Sequence, residues 1–186
     1  MSEQGQVRTE EIDAQAEAKR RLALAQIRQY PDPVLRLKAQ EVEEFDRDLA
    51  QLVERMMRLM QDARGVGLAA NQVGVLRRVF VIQAEDDEEP RVLVNPSIAE
   101  RSGESDEEDE GCLSMQGVVV PVERSLRVRI DARDAEGNPV TLELEGLPAR
   151  VAQHELDHLD GVLILDRTTP DGRRDALAVL RQAAAL

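Results

Sequence analysis

Tryptophan is absent from this 186-residue chain, and Tyr30, Phe45 and Phe80 are its only tyrosine and phenylalanine residues. So sparse a set of rings excludes a stacking platform for single-stranded nucleic acid. Positive charge is short as well: 24 Lys and Arg face 37 Asp and Glu, a net charge of −13. Such a surface repels phosphate backbones and anionic lipid headgroups, which argues against direct sequence-specific nucleic-acid contact and against membrane binding. No stretch approaches the roughly 18 apolar residues of a membrane span, and residues 1–11 lack the apolar centre of an export signal. A soluble, cytoplasmic protein is expected. A single cysteine, Cys112, excludes an internal disulfide and directs attention to the chemistry of its thiol.

What is present fits one compact domain with room for little more than a tail, large enough to bury roughly 70% of its unfolded surface. Residues 10–29 are rich in Ala, Arg, Glu and Gln with a weak apolar stripe. They predict a helical or flexible extension over 1–29, a dispensable tail in preference to a partner-docking segment, ahead of a single domain over 30–186. In Tyr30-Pro31-Asp32-Pro33, Asp32 suits a helix N-cap and Pro33 a first helical position. Leu49, Leu52, Val53, Met56 and Met60 recur at helical spacing and predict an amphipathic helix over 46–63, stopped by Gly65, with its methionines filling core gaps.

A glycine-punctuated loop over 65–74 precedes strand-like runs at 78–83, 91–95, 118–120, 126–132 and 140–145, the last two joined through Glu136-Gly137-Asn138-Pro139. Strands that follow one another without intervening helices predict an antiparallel α+β fold. Residues 146–159 read as a second helix, 162–165 as a short strand and 171–184 as a C-terminal helix. The acidic runs 85–89 and 104–110 read as solvated loops.

The strongest chemical signal is His154-Glu155-Leu156-Asp157-His158. Residues four apart on a helix lie about 40° apart around its axis, so both histidines of the chain can grip one ion. Glu155, in the adjoining sector, is placed to take a proton from water beside that ion. A catalytic site needs a third ligand and an open position. No further histidine exists and no glutamate follows Glu155, which leaves Cys112 or an aspartate such as Asp160 or Asp166. Cys112 is favoured, because Gly111 allows close backbone approach beside it and no other soft donor of its kind is present.

Three segments occur in order: Gly65-Val66-Gly67-Leu68-Ala69-Ala70-Asn71-Gln72, then Glu110-Gly111-Cys112-Leu113-Ser114, then the His154 run. Together they resemble the peptide deformylase family, whose pattern is G-x-G-L-A-A-x-Q, E-G-C-L-S and H-E-x-D-H. The likeness extends from about residue 30 through the segment after Gly161. It implies antiparallel sheets packed around a central H-E-x-x-H helix, with an N-terminal helical segment and a C-terminal helix. The implied activity is removal of the formyl group from the N-terminal formylmethionine of newly made polypeptides, releasing formate by attack of a metal-bound water.

By the same resemblance, Cys112, His154 and His158 hold one Fe(II) or Zn(II), and Glu155 takes and later delivers a proton. Gln72 and the Leu113 N–H stabilise the oxyanion. Val66, Gly67 and Gly111 offer backbone hydrogen bonds to a substrate lying as an added strand, and Val66, Leu147 and Val151 are suited to an apolar methionine pocket. Relatives approach the ribosome through a C-terminal helix, which here carries Arg173, Arg174 and Arg181. The chain departs from the family at Gln116, where proline is common, at Val119, where a basic residue is frequent, and at the acidic 106–109 stretch. These changes bear on substrate range and leave the metal chemistry alone. The alternative is a small H-E-x-x-H metallopeptidase cleaving internal peptide bonds, but its usual third ligand is missing. A non-catalytic metal-binding module would need neither Glu155 nor Gln72.

Overall fold

The computed structural model describes residues 3–83, 87 and 89–184, with side chains from residue 13 to 183 over that span. In chain order the elements are α1 (Glu3–Leu24), α2 (Arg47–Asp62), β1 (Gly67–Ala69), β2 (Val79–Ile82), β3 (Arg91–Arg101), β4 (Ser105–Cys112), β5 (Met115–Ser125), β6 (Arg127–Arg133), β7 (Pro139–Glu145), α3 (Leu147–Leu159), α4 (Ile164–Arg167) and α5 (Pro170–Ala184). Every strand pair is antiparallel. One sheet has the order β1-β2-β3-β6-β7, and β4 and β5 form a separate two-stranded ribbon. The expected α+β class and its central helix are both found.

The central position of α3 follows from strand periodicity. Alternate side chains of β2 point to opposite faces of the sheet. Val79 and Val81 join the cluster formed with α2, whereas Phe80 and Ile82 join the cluster that contains Ala149, Ala152, Leu156 and Leu159 of α3. Because β2 is covered on both sides, it reads as a continuous apolar run, Val-Phe-Val-Ile. The opposite side of α3 faces the ribbon through polar groups. Arg150 Nη1 donates to the Val122 carbonyl at 2.8 Å, and Gln153 Nε2 to the Ser125 carbonyl at 2.9 Å. The helix is thereby held between both sheets.

Capping is legible in the expected places. Asp46 accepts from the Leu49 N–H at 2.9 Å and opens α2; Asp32 accepts from the Val34 N–H at 3.0 Å and opens a 3-10 turn at Pro33–Arg36. Leu49, Val53, Met56 and Met60 are buried along α2, each contributing about 1.5–3 kcal/mol. Its C-terminus differs from the expectation at Gly65. The left-handed residue is Arg64, at φ 58°, with its N–H on the Gln61 carbonyl at 3.0 Å and the Gly65 N–H on the Met60 carbonyl at 2.9 Å. This is a Schellman ending in which arginine occupies the position glycine fills at least cost. Gly65 is needed for another reason: a Cβ there would lie 2.6 Å from Leu113 Cδ1.

Two expectations are corrected. Residues 162–165 do not form a strand; Ile164–Arg167 is a helical turn, opened by the Asp166 carboxylate accepting from the Leu163 N–H at 2.9 Å. A short buried apolar run carries no period that separates the two. The acidic run 104–110 is not a loop, because residues 105–110 belong to β4. Its even-numbered acids, Asp106, Glu108 and Glu110, meet Arg150 at 2.7, 3.4 and 3.0 Å, which is the period of a strand. The other acidic run, 85–89, lies largely outside the described residues. The end of α1 joins the core: Ala23, Leu24 and Ile27 are buried beside α2 residues. Among the described residues no helix is long and apolar enough to cross a membrane.

Candidate metal centre and cleft

The β4–β5 turn brings Cys112 to α3. Cys112 pairs with Met115 after a register shift between Gly111 and Cys112, which leaves Leu113 and Ser114 at the tip. Such a bulge bends the strand and re-aims the next side chain. Cys112 Sγ lies 3.3 Å from His158 Nε2, and His158 Nε2 lies 3.1 Å from His154 Nε2. All three donor atoms fall within 4.8 Å of one another. Tetrahedral coordination at the usual Zn–S and Zn–N lengths separates ligand atoms by roughly 3.3–3.6 Å, so the cluster has the dimensions of a single-ion site.

The surrounding groups orient these donors. His154 Nδ1 faces Glu110 Oε2 at 3.0 Å, which assigns the ring proton to Nδ1 and turns the Nε2 lone pair toward the cluster. Glu110 is itself gripped by Arg124, Nε to Oε1 at 2.9 Å and Nη2 to Oε2 at 3.0 Å, and by Arg150 Nη1 at 3.0 Å. Arg124 also binds Asp157, which in turn holds Arg167 at 2.6 Å. Burial alone would raise the Glu110 carboxyl, but hydrogen bonds from His154 and Arg124 bring it down to about 2. Burial would likewise lower His154, yet the Cys112 sulfur and Glu110 hold it well above the usual imidazole range.

Glu155 follows His154 on α3 and is 3% exposed. Burial pushes its carboxyl up to about 7, with His154 opposing and Glu110 assisting. Its Oε2 has no hydrogen-bond partner among the described residues, a cost few buried oxygens bear without a functional reason. Gln72 is 1% exposed, and its amide is fixed at both ends. Its Oε1 accepts from the Ala69 N–H at 2.9 Å, while Nε2 donates to Ser114 Oγ at 3.1 Å and points toward Cys112 Sγ at 3.7 Å.

Residues 28–30 tie the two loops together. The Arg28 N–H donates to the Gln72 carbonyl at 2.7 Å and the Tyr30 N–H to the Ser114 carbonyl at 2.8 Å. Gln29 Nε2 donates to the Leu113 carbonyl at 2.9 Å.

These groups open into a cleft of about 390 Å³. Val66, Gly67, Gln72, Gly111, Cys112, Leu113, His154 and Glu155 all line it, as do Leu147 and Val151; His158 is buried at 1% exposure against Cys112 and His154. β1 is the edge strand of its sheet and β4 the outer strand of the ribbon, so both walls present strand edges. Sequence reasoning did not find the roles of Arg124, Asp157 and Ser114, or the burial of Glu110. Nor did it place Arg20 and Leu24 of α1 in the cleft lining. Only Glu110 and Asp157, inside the second and third motifs, hinted at the charge network.

A Cys-His-His cluster with a buried, unpartnered carboxylate and a fixed amide beside a strand-edged cleft defines a hydrolase centre of the metal-dependent kind. Residues 24–174 match the polypeptide deformylase family. Peptide deformylase of Thermotoga neapolitana is 47% identical over 147 residues, covering 79% of this chain and 88% of that one. Peptide deformylase 1 of Corynebacterium glutamicum is 44% identical over 165 residues, covering 88% and 98%. The crystal structure of a peptide deformylase from Legionella pneumophila superimposes with a TM-score of 0.81 at 42% identity, covering 86% of this chain and 94% of that one. The chain belongs to the polypeptide deformylase family.

Proposed function

We propose that this enzyme removes the formyl group from the N-terminal formylmethionine of nascent polypeptides, releasing formate. The observation that supports this most directly is the meeting of Cys112, His154 and His158 within 4.8 Å, beside the unpartnered Glu155 Oε2. The donor set suits a borderline-soft divalent ion, Fe(II) or Zn(II). Such an ion supplies Lewis-acid charge and lets a neighbouring water ionise near neutral pH.

The chain's own groups do the rest. Glu155 takes a proton from water at its carboxylate and passes it to the departing amine nitrogen, a task suited to a carboxyl raised to about 7. Gln72 Nε2 and the Leu113 N–H donate to the formyl oxygen as it gains charge. Backbone groups of Val66, Gly67 and Gly111 bind the peptide as an added strand, and Val66, Leu147 and Val151 surround the methionine side chain. The catalytic unit takes in the end of α1 together with residues 25–186, because Ala23, Leu24 and Ile27 are buried in its core and Arg28 and Gln29 bond its loops. Ribosome association is assigned to α5 through Arg173, Arg174 and Arg181, and the site of action to the cytoplasm; deletion of residues 171–186 abolishes co-sedimentation with ribosomes if α5 is the contact.

The decisive experiment offers formylated and unformylated methionyl peptides to anaerobically purified protein whose metal content has been measured. Formate release from the formylated peptides alone supports the reading. Internal cleavage of either peptide overturns it in favour of a peptidase.

A further inference from the structure

The cleft walls carry an uneven charge. Away from the Cys112 cluster, its ionised groups at the solvent boundary are Arg20, Arg64 and Asp109. Arg150 and Glu110 also reach the cleft, but each is held by the other at 3.0 Å within the buried network. The two arginines belong to one side. Arg20 lies one turn before Leu24 on α1, which packs against α2, and Arg64 is the left-handed residue that follows α2. Asp109 belongs to the facing strand, β4.

Neither arginine is consumed by the fold. Arg64 makes no ion pair among the described residues and is exposed. Among the described residues Arg20 meets only Glu17, at 3.4 Å, with both side chains roughly two-fifths exposed. Arg64 also keeps a left-handed backbone, φ 58°, which a glycine would adopt more readily. In a chain of net charge −13, an acidic peptide is repelled almost everywhere. A pair of guanidinium groups at the cleft is a local exception, and the planar fork of arginine matches a carboxylate in geometry.

The position along the cleft selects which substrate residue is read. Chain reach is at most about 3.3–3.6 Å per residue, so the Arg64 backbone lies within roughly 7 Å of Val66 and 11 Å of Gly67, off the end of β1. A peptide bound along Val66 and Gly67 by its methionine passes this point with its second or third following residue. We infer that Arg20 and Arg64 form an outer subsite that favours nascent chains carrying Asp or Glu at the second or third position after formylmethionine. This rests on the deformylase reading and adds to it a specificity supplied in part by α1.

The test compares formyl-Met-Ala-Glu-Glu, formyl-Met-Ala-Gln-Gln and formyl-Met-Ala-Lys-Lys by kcat/KM within each enzyme preparation, so that misfolded protein cancels in the ratio. The native enzyme prefers Glu-Glu over Gln-Gln by about three- to tenfold, expressed in KM, and about 0.5 M salt suppresses the preference. Arg20→Gln with Arg64→Gln brings the ratio to about one, and Arg20→Glu with Arg64→Glu inverts it in favour of Lys-Lys. Calorimetric Kd values of the same peptides on the Glu155→Gln protein follow the same order without turnover. Equal Kd and kcat/KM for all three peptides, or a preference that survives the Gln pair, overturns the subsite. If no peptide yields formate, the deformylase reading fails, and the order of Kd values still decides the subsite on its own.

Discussion

Gly67→Ala tests how closely the cleft is fitted to Glu155. A Cβ built on Gly67 falls 2.8 Å from Val151 Cγ1 and 2.9 Å from Glu155 Cδ, and against Glu155 Oε1. Ordinary carbon contacts lie near 3.5–4 Å, so the Glu155 carboxylate and Val151 must retreat by roughly 0.5–1 Å. Both are buried on α3, whose other face is pinned to β5. A catalytic group displaced by about 1 Å loses on the order of 100-fold in rate, close to 2.7 kcal/mol of barrier. The added methyl also costs about 1–3 kcal/mol of folding stability through overpacking. The assay is kcat/KM for formate release, with metal content and thermal unfolding measured on the same preparation. Gly103→Ala, where a Cβ meets nothing within 4 Å, is the control and stays at wild-type activity. Full activity in Gly67→Ala with metal retained would refute the claim that Glu155 is positioned by contact with this strand.

Glu155→Gln keeps the shape of the site and removes its proton acceptor; kcat falls about 10²- to 10⁴-fold while metal content by elemental analysis stays the same. Glu110→Gln leaves Arg124 and Arg150 buried without their shared carboxylate. Denaturant unfolding then shows a loss of about 3–5 kcal/mol, and competition with a chelator shows metal affinity down by about 10- to 100-fold; wild-type values in both would remove Glu110 from its positioning role. Asp166 is lowered below its ordinary value because hydrogen bonds from Arg36 and the Leu163 N–H outweigh its burial. The unfolded chain then binds more protons over that window, so the contribution is complete above the unfolded pKa and is lost as pH falls through the folded one. Between pH 5 and pH 2 the native protein loses more stability than Asp166→Asn, and equal slopes in pH-dependent denaturant titrations would refute the pairing.

Motifs and periodic elements were the legible part of this chain. The α2 stripe and the two histidines four apart on α3 repeat at helical spacing, and that spacing survives folding because each residue faces one environment. Less visible were features created by contact between distant segments. Asp106, Glu108 and Glu110 look like a solvated run until Arg150, some 40 residues later, gives their alternate positions a partner. Leu163, Ile164 and Leu165 are apolar enough to be buried whether helical or extended, and the carboxylate of Asp166 decides for the helix. Arg64 as the left-handed residue of α2 contradicts the simple expectation of glycine, because Gly65 is required for Leu113 to approach. In the site itself, the donors were readable as residue types, whereas the network behind His154 depends on Arg124 and Asp157 meeting across the ribbon and α3.

Residues 28–30 reach no reacting atom, yet their hydrogen bonds fall on Gln72, Leu113 and Ser114. Gln72 and Leu113 come from separate loops with no covalent reason to agree in position, and this short segment gives them a common reference. Shortening the chain from its N-terminus is therefore harmless or ruinous according to a boundary only a few residues wide. A cut just before Ala23 spares the core contacts and the alignment, and one just after Tyr30 leaves Gln72, Leu113 and Ser114 without their common anchor.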